Sequence, residues 1–589
     1  MPTSMGKTDA YLIQSFETEI AVSKSLEGLN ESTPPVMLTM LLRVRDVERW
    51  SPPAGFQLLS RLGAILSGRG TVEALMALEQ DPNVLSIEAS RPAGLPDAVS
   101  PVAFIKADLV HTAAVAEKGD QAMVALVDAG IDVLHEAFLD DQGNSRIVEV
   151  WDQTDDSGPG PNAFYPSLLA SYGTVHTAAQ IAQYVSSQSA PATLASGNPH
   201  GTHVGSIAAG RAVGSFTGGV APEARIVAVV TKIKSGPGDP FSMGYSTSHV
   251  DALAYIKAVA GRLDLPVVVN VSQGMNAGAH DGTSLLEAAF DEFSGGGRDP
   301  GAVIVKSAGN ERNFAGHARL RLASNMGDQL VWRCKAGFRS EDVFELWFMA
   351  CDEFKFRVSD PSGGQTSVVS WGSPSLRETL PSGNVVVMSY TRYHHDNGDS
   401  RLMMVVQPGG ASRITPGDWK LEIESVAVRS PGQIDAWVER DNSRSAEFAN
   451  HLEEEMTLTI PATAHTVISV GAVSPSQPMQ LMNFSSFGPT RDRREKPDVV
   501  APGKDIVAAD AGTKTGVRPD SGTSMAAPHV TGAIALLFSH LAKQPNASLP
   551  NAAQVRAALT QHAQNFSGHF TPSSGYGVID VEALLEAFQ

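Results

Sequence analysis

Beginning near residue 120, a series of segments is apolar at nearly every position rather than at every second one: AMVALVDAG, RIVAVVTKI, PVVVNVSQG and AVIVKSAGN. A strand that is apolar on both faces must be covered on both faces, and a parallel sheet lying between two layers of helices meets that demand. The helix-like stretches HVDALAYIKAVAGR and LLEAAFDEF fall between such strands, as the crossover connections of a parallel sheet require. This region is therefore read as α/β, a parallel sheet with helices on both faces. Three of its strands end in small or turn residues beside a polar group. In sheets of this kind the carboxyl ends of the strands build the site.

Other textures flank and interrupt this one. Residues 1–33 form a polar tail that ends at Thr33, Pro34 and Pro35. Residues 34–92 read as a small α+β unit: strand-like VMLTMLLRVRD, a mixed segment GFQLLSRLGAILSGRG, a short helix in TVEALMALEQDP and a strand VLSIEAS. The following SRPAGLPDAVSP, Ser90 to Pro101, has the composition of a linker. From 311 to 455 the pattern turns to alternating apolar and polar residues with aromatics, as in VFELWFMA, EFKFRVSDPSGG and DWKLEIESVAV, broken by Pro-Gly, Asn-Gly and Ser-Gly turns. That texture predicts an antiparallel β-sandwich inserted into the α/β domain, which then occupies 93–310 and resumes over 456–589. A chain of 589 residues with 42% hydrophobic residues is long enough to bury two or three such cores.

Charge narrows the function. With 44 basic and 63 acidic residues the formal net charge is −19, which disfavours nucleic acid or anionic lipid as a partner. Cys334 and Cys351, the two cysteines, are too few for a disulfide framework or a zinc site and can be paired or free. The first residues lack the pattern of a secretory signal, and no apolar run reaches the roughly 18 residues that span a bilayer. A cytoplasmic location without membrane attachment is expected, with export by another route left open. YHHDNGDS offers His394, His395, Asp396 and Asp399, but Asn-Gly between two strand-like runs reads first as a hairpin turn, so no metal is expected there.

Four stretches place reactive side chains at the ends of these elements. Asp128 closes the strand VALVDAG, His200 precedes a helix start in NPHGTHVG, Asn310 follows the strand in VKSAGNE, and Ser524 stands in GTSMAAPHV before the small, apolar run AIALLFSHL. For Ser524 two readings stand side by side: a helix N-cap, or a nucleophile at the positive end of a helix, with Pro528 in its first turn. Each stretch alone is weak. Their order of Asp, His, Asn and Ser on one predicted sheet is what carries weight.

In that order, and in the longer strings HGTHVGSIAAG, GVAPEARIVAV, SAGNE, FSSFGPTRDRREKPDVVAPGKDI and GTSMAAPHVTG, the chain resembles the subtilisin-like serine peptidases. The β-sandwich insert is most similar in pattern to the subgroup that includes the clostridial germination proteases, where it is a jelly roll. The resemblance implies a serine endopeptidase acting on protein or peptide substrates. Ser524 would be the nucleophile, His200 the general base and acid, Asp128 the group that orients the imidazole, and Asn310 an oxyanion-hole donor beside the Ser524 backbone N–H. Ser272, Gly274, Ser307, Ala308 and Gly309 would line the substrate groove, with Gln273 standing where an apolar residue is usual. His203 and His529 would be structural. Ala129 follows the catalytic Asp where the family more often has Ser or Thr, which implies a missing supporting hydrogen bond. Ala137 replaces an expected calcium-ligating Asp and GRAVGSFTGGVAP is too short for the ligand loop, so no cofactor and no calcium are implied. The unit at 34–92 resembles an inhibitory prodomain, which would make it a partner of its own catalytic domain. A non-catalytic binding relative and an acyl-transferring ligase or cyclase remain as alternatives.

Overall fold

The computed structural model describes residues 7, 38–62, 64–89, 100–232, 244–439, 444–476, 479–564 and 568–588, which fall into two compact units, Met1–Asp97 and Ala98–Gln589. Apart from Lys7, the polar tail lies outside the described residues, as do positions 90–99 of the predicted linker.

In the first unit β1 (Leu38–Val44), β2 (Phe56–Leu62), β3 (Ile65–Gly70) and β4 (Val84–Ala89) form an antiparallel sheet in the order β2-β3-β1-β4, with α1 (Val72–Gln80) packed on it. The mixed segment GFQLLSRLGAILSGRG is thus a hairpin. Thr71 caps α1 by accepting the Ala74 N–H at 3.3 Å. Ala74, Leu75 and Leu78 then share one helix face and bury it against Met40, Leu42, Leu66 and Ile87.

The second unit is built on β5 (Met123–Asp128), β6 (Ile147–Asp152), β7 (Thr174–Thr177), α2 (His200–Ala209), β8 (Arg225–Val230), α3 (Gly244–Leu263), β9 (Val267–Val271), α4 (Leu285–Phe293) and β10 (Ala302–Ser307). The inserted strands then follow: β11 (His317–Arg321), β12 (Gly327–Cys334), β13 (Asp342–Phe348), β14 (Glu353–Ser359), β15 (Ser375–Thr379), β16 (Val385–Thr391), β17 (Ser400–Gln407), β18 (Gly417–Ala427), β19 (Gln433–Val438) and β20 (Ala446–Phe448). The first sheet is completed by β21 (Ile468–Ser474), β22 (Gln480–Leu481) and β23 (Val499–Pro502), and the chain goes on to the long helix α5 (Thr523–Ala542).

The first of these sheets runs β22-β21-β10-β9-β5-β8-β6-β7, with β23 beside β21. Its centre, from β21 to β6, is parallel, and the edge strands β7 and β22 are antiparallel. The two faces of β5 show why its sequence is apolar throughout. Val124 and Leu126 enter one core with Val204 and Ile207 of α2 and Val530 and Ile534 of α5, whereas Met123, Ala125 and Val127 enter the other with Tyr255 and Ile256 of α3 and Phe290 of α4.

Helix α5 is buried along nearly its whole length, and its small residues let it approach α2 closely: a Cβ on Gly532 would stand 2.5 Å from Val220 Cβ and 2.7 Å from the Ala208 carbonyl oxygen. It is long and apolar enough to cross a membrane, and 89% of its apolar window is buried within the fold. One expectation is corrected here. Pro528 is not in the first turn but is the sixth residue of α5, where it has no N–H to give to the Ser524 carbonyl. That carbonyl instead accepts from Ser272 Oγ at 3.4 Å.

The inserted segment folds as two antiparallel sheets, six strands in the order β11-β19-β13-β17-β16-β15 and four in the order β14-β18-β12-β20, around an aromatic core that includes Trp332, Phe344, Phe348, Phe354, Phe356 and Trp419. Alternation matches burial: in β17, Leu402, Met404 and Val406 are buried while Arg401, Met403 and Val405 are half-buried. Cys334 and Cys351 are both free thiols.

Candidate active site

Asp128 is the last residue of β5 and His200 the first of α2, so a strand end and a helix start bring the two side chains together. The His200 Nδ1 lies 2.8 Å and 3.0 Å from the two carboxylate oxygens. The Ala129 N–H donates to Asp128 Oδ1 at 2.7 Å, so a backbone donor serves the carboxylate although the Ala129 side chain cannot. Two glycines permit the approach: a Cβ on Gly201 would fall 2.0 Å from the Gly130 carbonyl oxygen, and one on Gly130 would fall 2.5 Å from that of Asn198. Asp128 is 2% exposed, whereas the His200 side chain is 29% exposed and so open to a reactant. Burial alone pushes the imidazole's pKa down. The Asp128 carboxylate, by charge and hydrogen bond, more than offsets this and holds it above its ordinary value.

Ser524 is the second residue of α5, and the N-cap is Gly522, so the N-cap reading of Ser524 is excluded. Its position places its N–H in the first turn, where backbone donors have no intrahelical acceptor and the helix end is positive. The Ser524 Oγ donates to the Ser272 carbonyl at 3.3 Å. Among the described residues it makes no hydrogen bond to His200. Asn310 lies just beyond β10, and its Oδ1 accepts both the Thr523 N–H and the Thr523 hydroxyl, each at 3.0 Å. Its Nδ2 is thereby turned toward the start of α5, 3.3 Å from where a Cβ on Gly522 would stand.

The predicted groove residues flank this start. Ser272 and Gly274 follow β9, and Met275 exchanges backbone hydrogen bonds with Ile460 at 3.0 and 2.9 Å. Gly274 has no room for a side chain, since a Cβ there would be 2.7 Å from Thr459 Oγ1. On the other side, Ser307 ends β10, and Ala308 and Gly309 have already committed their N–H groups, to the Val470 carbonyl at 2.9 Å and to Thr523 Oγ1 at 3.1 Å. Gly309 has φ +110° and faces Thr459, so only glycine fits. Gln273 meets Thr231, whose Oγ1 donates to Oε1 at 3.3 Å.

Some polar groups of this region were not anticipated. Lys306, 1% exposed, donates from Nζ to the Ser307 carbonyl and hydroxyl at 2.6 and 3.0 Å and to Thr459 Oγ1 at 3.3 Å. The available signal was a lysine closing the apolar run AVIVK. Thr523, which orients Asn310, could have been noticed as the residue between Gly522 and the candidate serine.

His203 and His529 stand apart from the reactive groups. Both are buried, and burial pushes each down to about 4. His203 Nε2 is within hydrogen-bond distance of the Ile506 and Arg518 carbonyls, and His529 Nδ1 of the Met525 carbonyl. His394, His395 and Asp396 do lie in the connection between β16 and β17, with one potential ligand atom of each within 4.8 Å of the others. The neighbourhood of Ala137 holds a protein cation: the buried Arg146 donates to the carbonyls of Ala137, Leu139, Ala209 and Ala224 at 2.6 to 3.4 Å.

The profile of the Peptidase_S8 subtilase family matches residues 119–339 and 356–578, about three quarters of the chain. The C5a peptidase of Streptococcus pyogenes serotype M3 is 24% identical over 500 residues, which cover 79% of this chain and 39% of that protein. The mouse membrane-bound transcription factor site-1 protease is 37% identical over 139 residues, covering 23% of this chain and 12% of its own. Among solved structures, the CspB protease of Clostridium perfringens has a TM-score of 0.70 and 25% sequence identity, covering 83% of this chain and 98% of that one. The chain spans about two fifths of the length of the C5a peptidases that it matches.

Proposed function

The chain belongs to the subtilase family, and from that premise we propose that it is a serine endopeptidase acting through an acyl-enzyme on Ser524. The observation that carries the proposal is the contact of His200 Nδ1 with the buried Asp128 carboxylate at 2.8 and 3.0 Å. Asp128 fixes the imidazole tautomer with the proton on Nδ1, which leaves Nε2 free to act as a base. Ser524 Oγ rotates away from the Ser272 carbonyl and attacks the scissile carbonyl carbon as Nε2 takes its proton. Negative charge gathers on the carbonyl oxygen and is received by the Ser524 N–H and by Asn310 Nδ2. The Nε2 proton then passes to the leaving amine as the C–N bond breaks. In the second half His200 deprotonates a water, which attacks the ester, and the proton returns to Ser524 as the acid leaves.

The substrate is a protein or peptide segment in extended form. Its backbone pairs with the 272–274 side of the groove, because Ala308 and Gly309 have spent their N–H groups, and Met275 both of its backbone groups, within the fold. No cofactor takes part. The N-terminal unit is the inhibitor of its own chain.

The test is labelling by a fluorophosphonate, which phosphonylates an activated serine. Wild type is expected to carry the label on Ser524 and Ser524→Ala to carry none. Equal labelling of the two, or labelling elsewhere only, would overturn the assignment.

A further inference from the structure

The β-sandwich reaches both sides of the groove through Glu439, the residue after β19, and Arg444, which precedes β20. Arg444, between β19 and β20, donates from Nη2 to the backbone carbonyl of Asn310 at 2.9 Å, and its guanidinium carbon stands 5.2 Å from the centre of the Phe314 ring. Glu439 accepts the N–H of Asn276 at 2.9 and 3.2 Å and that of Ala277 at 3.1 Å, the two residues after Met275. Asn276 Nδ2 donates in turn to the Val438 carbonyl at 2.8 Å.

From this geometry we propose that Arg444 is a positioning residue for Asn310, so that the inserted sandwich sets the oxyanion hole of a site to which it gives no reacting group. The proposal rests on the reading of Asn310 as the oxyanion donor. A donor works only if it is already aimed where charge will appear, within about half an ångström. Asn310 is held at three points: the Thr523 N–H and hydroxyl hold Oδ1, and Arg444 holds the main-chain carbonyl. With both ends of the residue fixed, the amide can neither flip nor swing, and Nδ2 is the group left to meet a ligand.

The backbone at Arg444 agrees with a selected placement. Its φ is +47°, in the left-handed region that costs a non-glycine residue about 1 kcal/mol, and such conformations persist where the surroundings impose them. The planar guanidinium lies beside the Phe314 ring while one N–H reaches the carbonyl. A lysine could restore the charge but not both contacts.

Saturation kinetics of fluorophosphonate labelling on the full chain provide the test, with Arg444→Ala, Arg444→Lys, Asn310→Ala and the double variant Arg444→Ala with Asn310→Ala. Losing an oxyanion donor costs roughly 100- to 1,000-fold, so loosening one should cost about tenfold. Arg444→Ala is expected to lower the maximal labelling rate by that factor with less than a twofold change in the half-saturating concentration, and Arg444→Lys to recover part of it. In the Asn310→Ala background, removal of Arg444 should change the rate less than twofold. The same tenfold loss in both backgrounds, a change confined to half-saturation, or a lower thermal midpoint with an unchanged rate would each overturn the role. If wild type is labelled at Ser524 neither as the intact chain nor after cleavage and removal of the N-terminal unit, the endopeptidase reading itself has failed; if it is labelled and the effects are additive, only the role of Arg444 has.

Discussion

The Ser524 hydroxyl donates to the Ser272 carbonyl at 3.3 Å, so the candidate nucleophile is turned to the groove wall and not to His200. A substrate whose own N–H binds the Ser272 carbonyl would displace the hydroxyl and free it to meet the base. One such hydrogen bond is worth about 1 kcal/mol. A peptidyl phosphonate should therefore label Ser524 roughly fivefold faster than a simple alkyl phosphonate of matched reactivity. Equal rate constants in a stopped-time assay would show that the Ser272 contact does not gate the nucleophile.

The pH dependence follows from the His200–Asp128 pair. The imidazole must be neutral to accept a proton, and the carboxylate raises its pKa, so reactivity should rise with pH through a midpoint above about 6.5. In Asp128→Asn the charge is gone and burial, which acts in the opposite sense, remains. The midpoint should then fall below that of wild type while the rate drops by up to about 10,000-fold. Labelling rates measured from pH 5 to 9 for both proteins check the sign. A midpoint that does not move, or that moves up, would mean that Asp128 is not the group that holds the imidazole.

How much of this was legible in sequence can be judged residue by residue. Asp128, His200, Asn310 and Ser524 sit at strand ends and helix starts, and local chemistry marks such places: an apolar run ends, and small residues follow. The sandwich was legible because alternation of side chains is also local, as in Leu402, Met404 and Val406. Pro528 was misplaced because nothing nearby fixes where α5 begins; the capping position belongs to Gly522, which has no side chain to announce it. Arg146, Glu439 and Arg444 carried no signal at all. Arg444 meets Asn310 across 134 residues of sequence, and Arg146 meets Ala209 across 63, so only the folded chain makes them partners.

Arg146 allows a test of the expectation that the domain needs no calcium. Arg146 is 5% exposed, burial pushes its pKa down to about 10, and it bonds the last-turn carbonyl of α2, the negative end of the helix that carries His200. Arg146→Met removes the cation and leaves up to three buried carbonyls without a donor, those of Leu139, Ala209 and Ala224, since that of Ala137 also accepts the Arg211 N–H at 2.8 Å; the cost is roughly 1 to 3 kcal/mol each if none is rehydrated. Its thermal midpoint should fall by many degrees, whereas chelation of wild type with EDTA should leave the midpoint unchanged. A large EDTA effect in wild type would place a stabilising metal in the protein and refute the expectation.

The last prediction concerns restraint of the activity. Any protease is synthesised among its own cell's proteins, so an open groove needs an inhibitor until it is wanted. The unit over 38–89 has its own core, from Met40 to Ile87, and can therefore keep its shape once separated from the rest of the chain. A tether holds it at an effective concentration of roughly millimolar, so even modest intrinsic affinity would keep the enzyme closed, and cutting the tether would release it by dilution. Self-cleavage is expected within Ala89 to Ser100, followed by inhibition in trans by the released fragment. Intact mass against time for wild type and Ser524→Ala, together with labelling rates of processed enzyme titrated with fragment 1–92, tests both halves. Equal processing of the two proteins would assign the cut to another protease, and a fragment that leaves labelling unchanged would remove its role as an inhibitor.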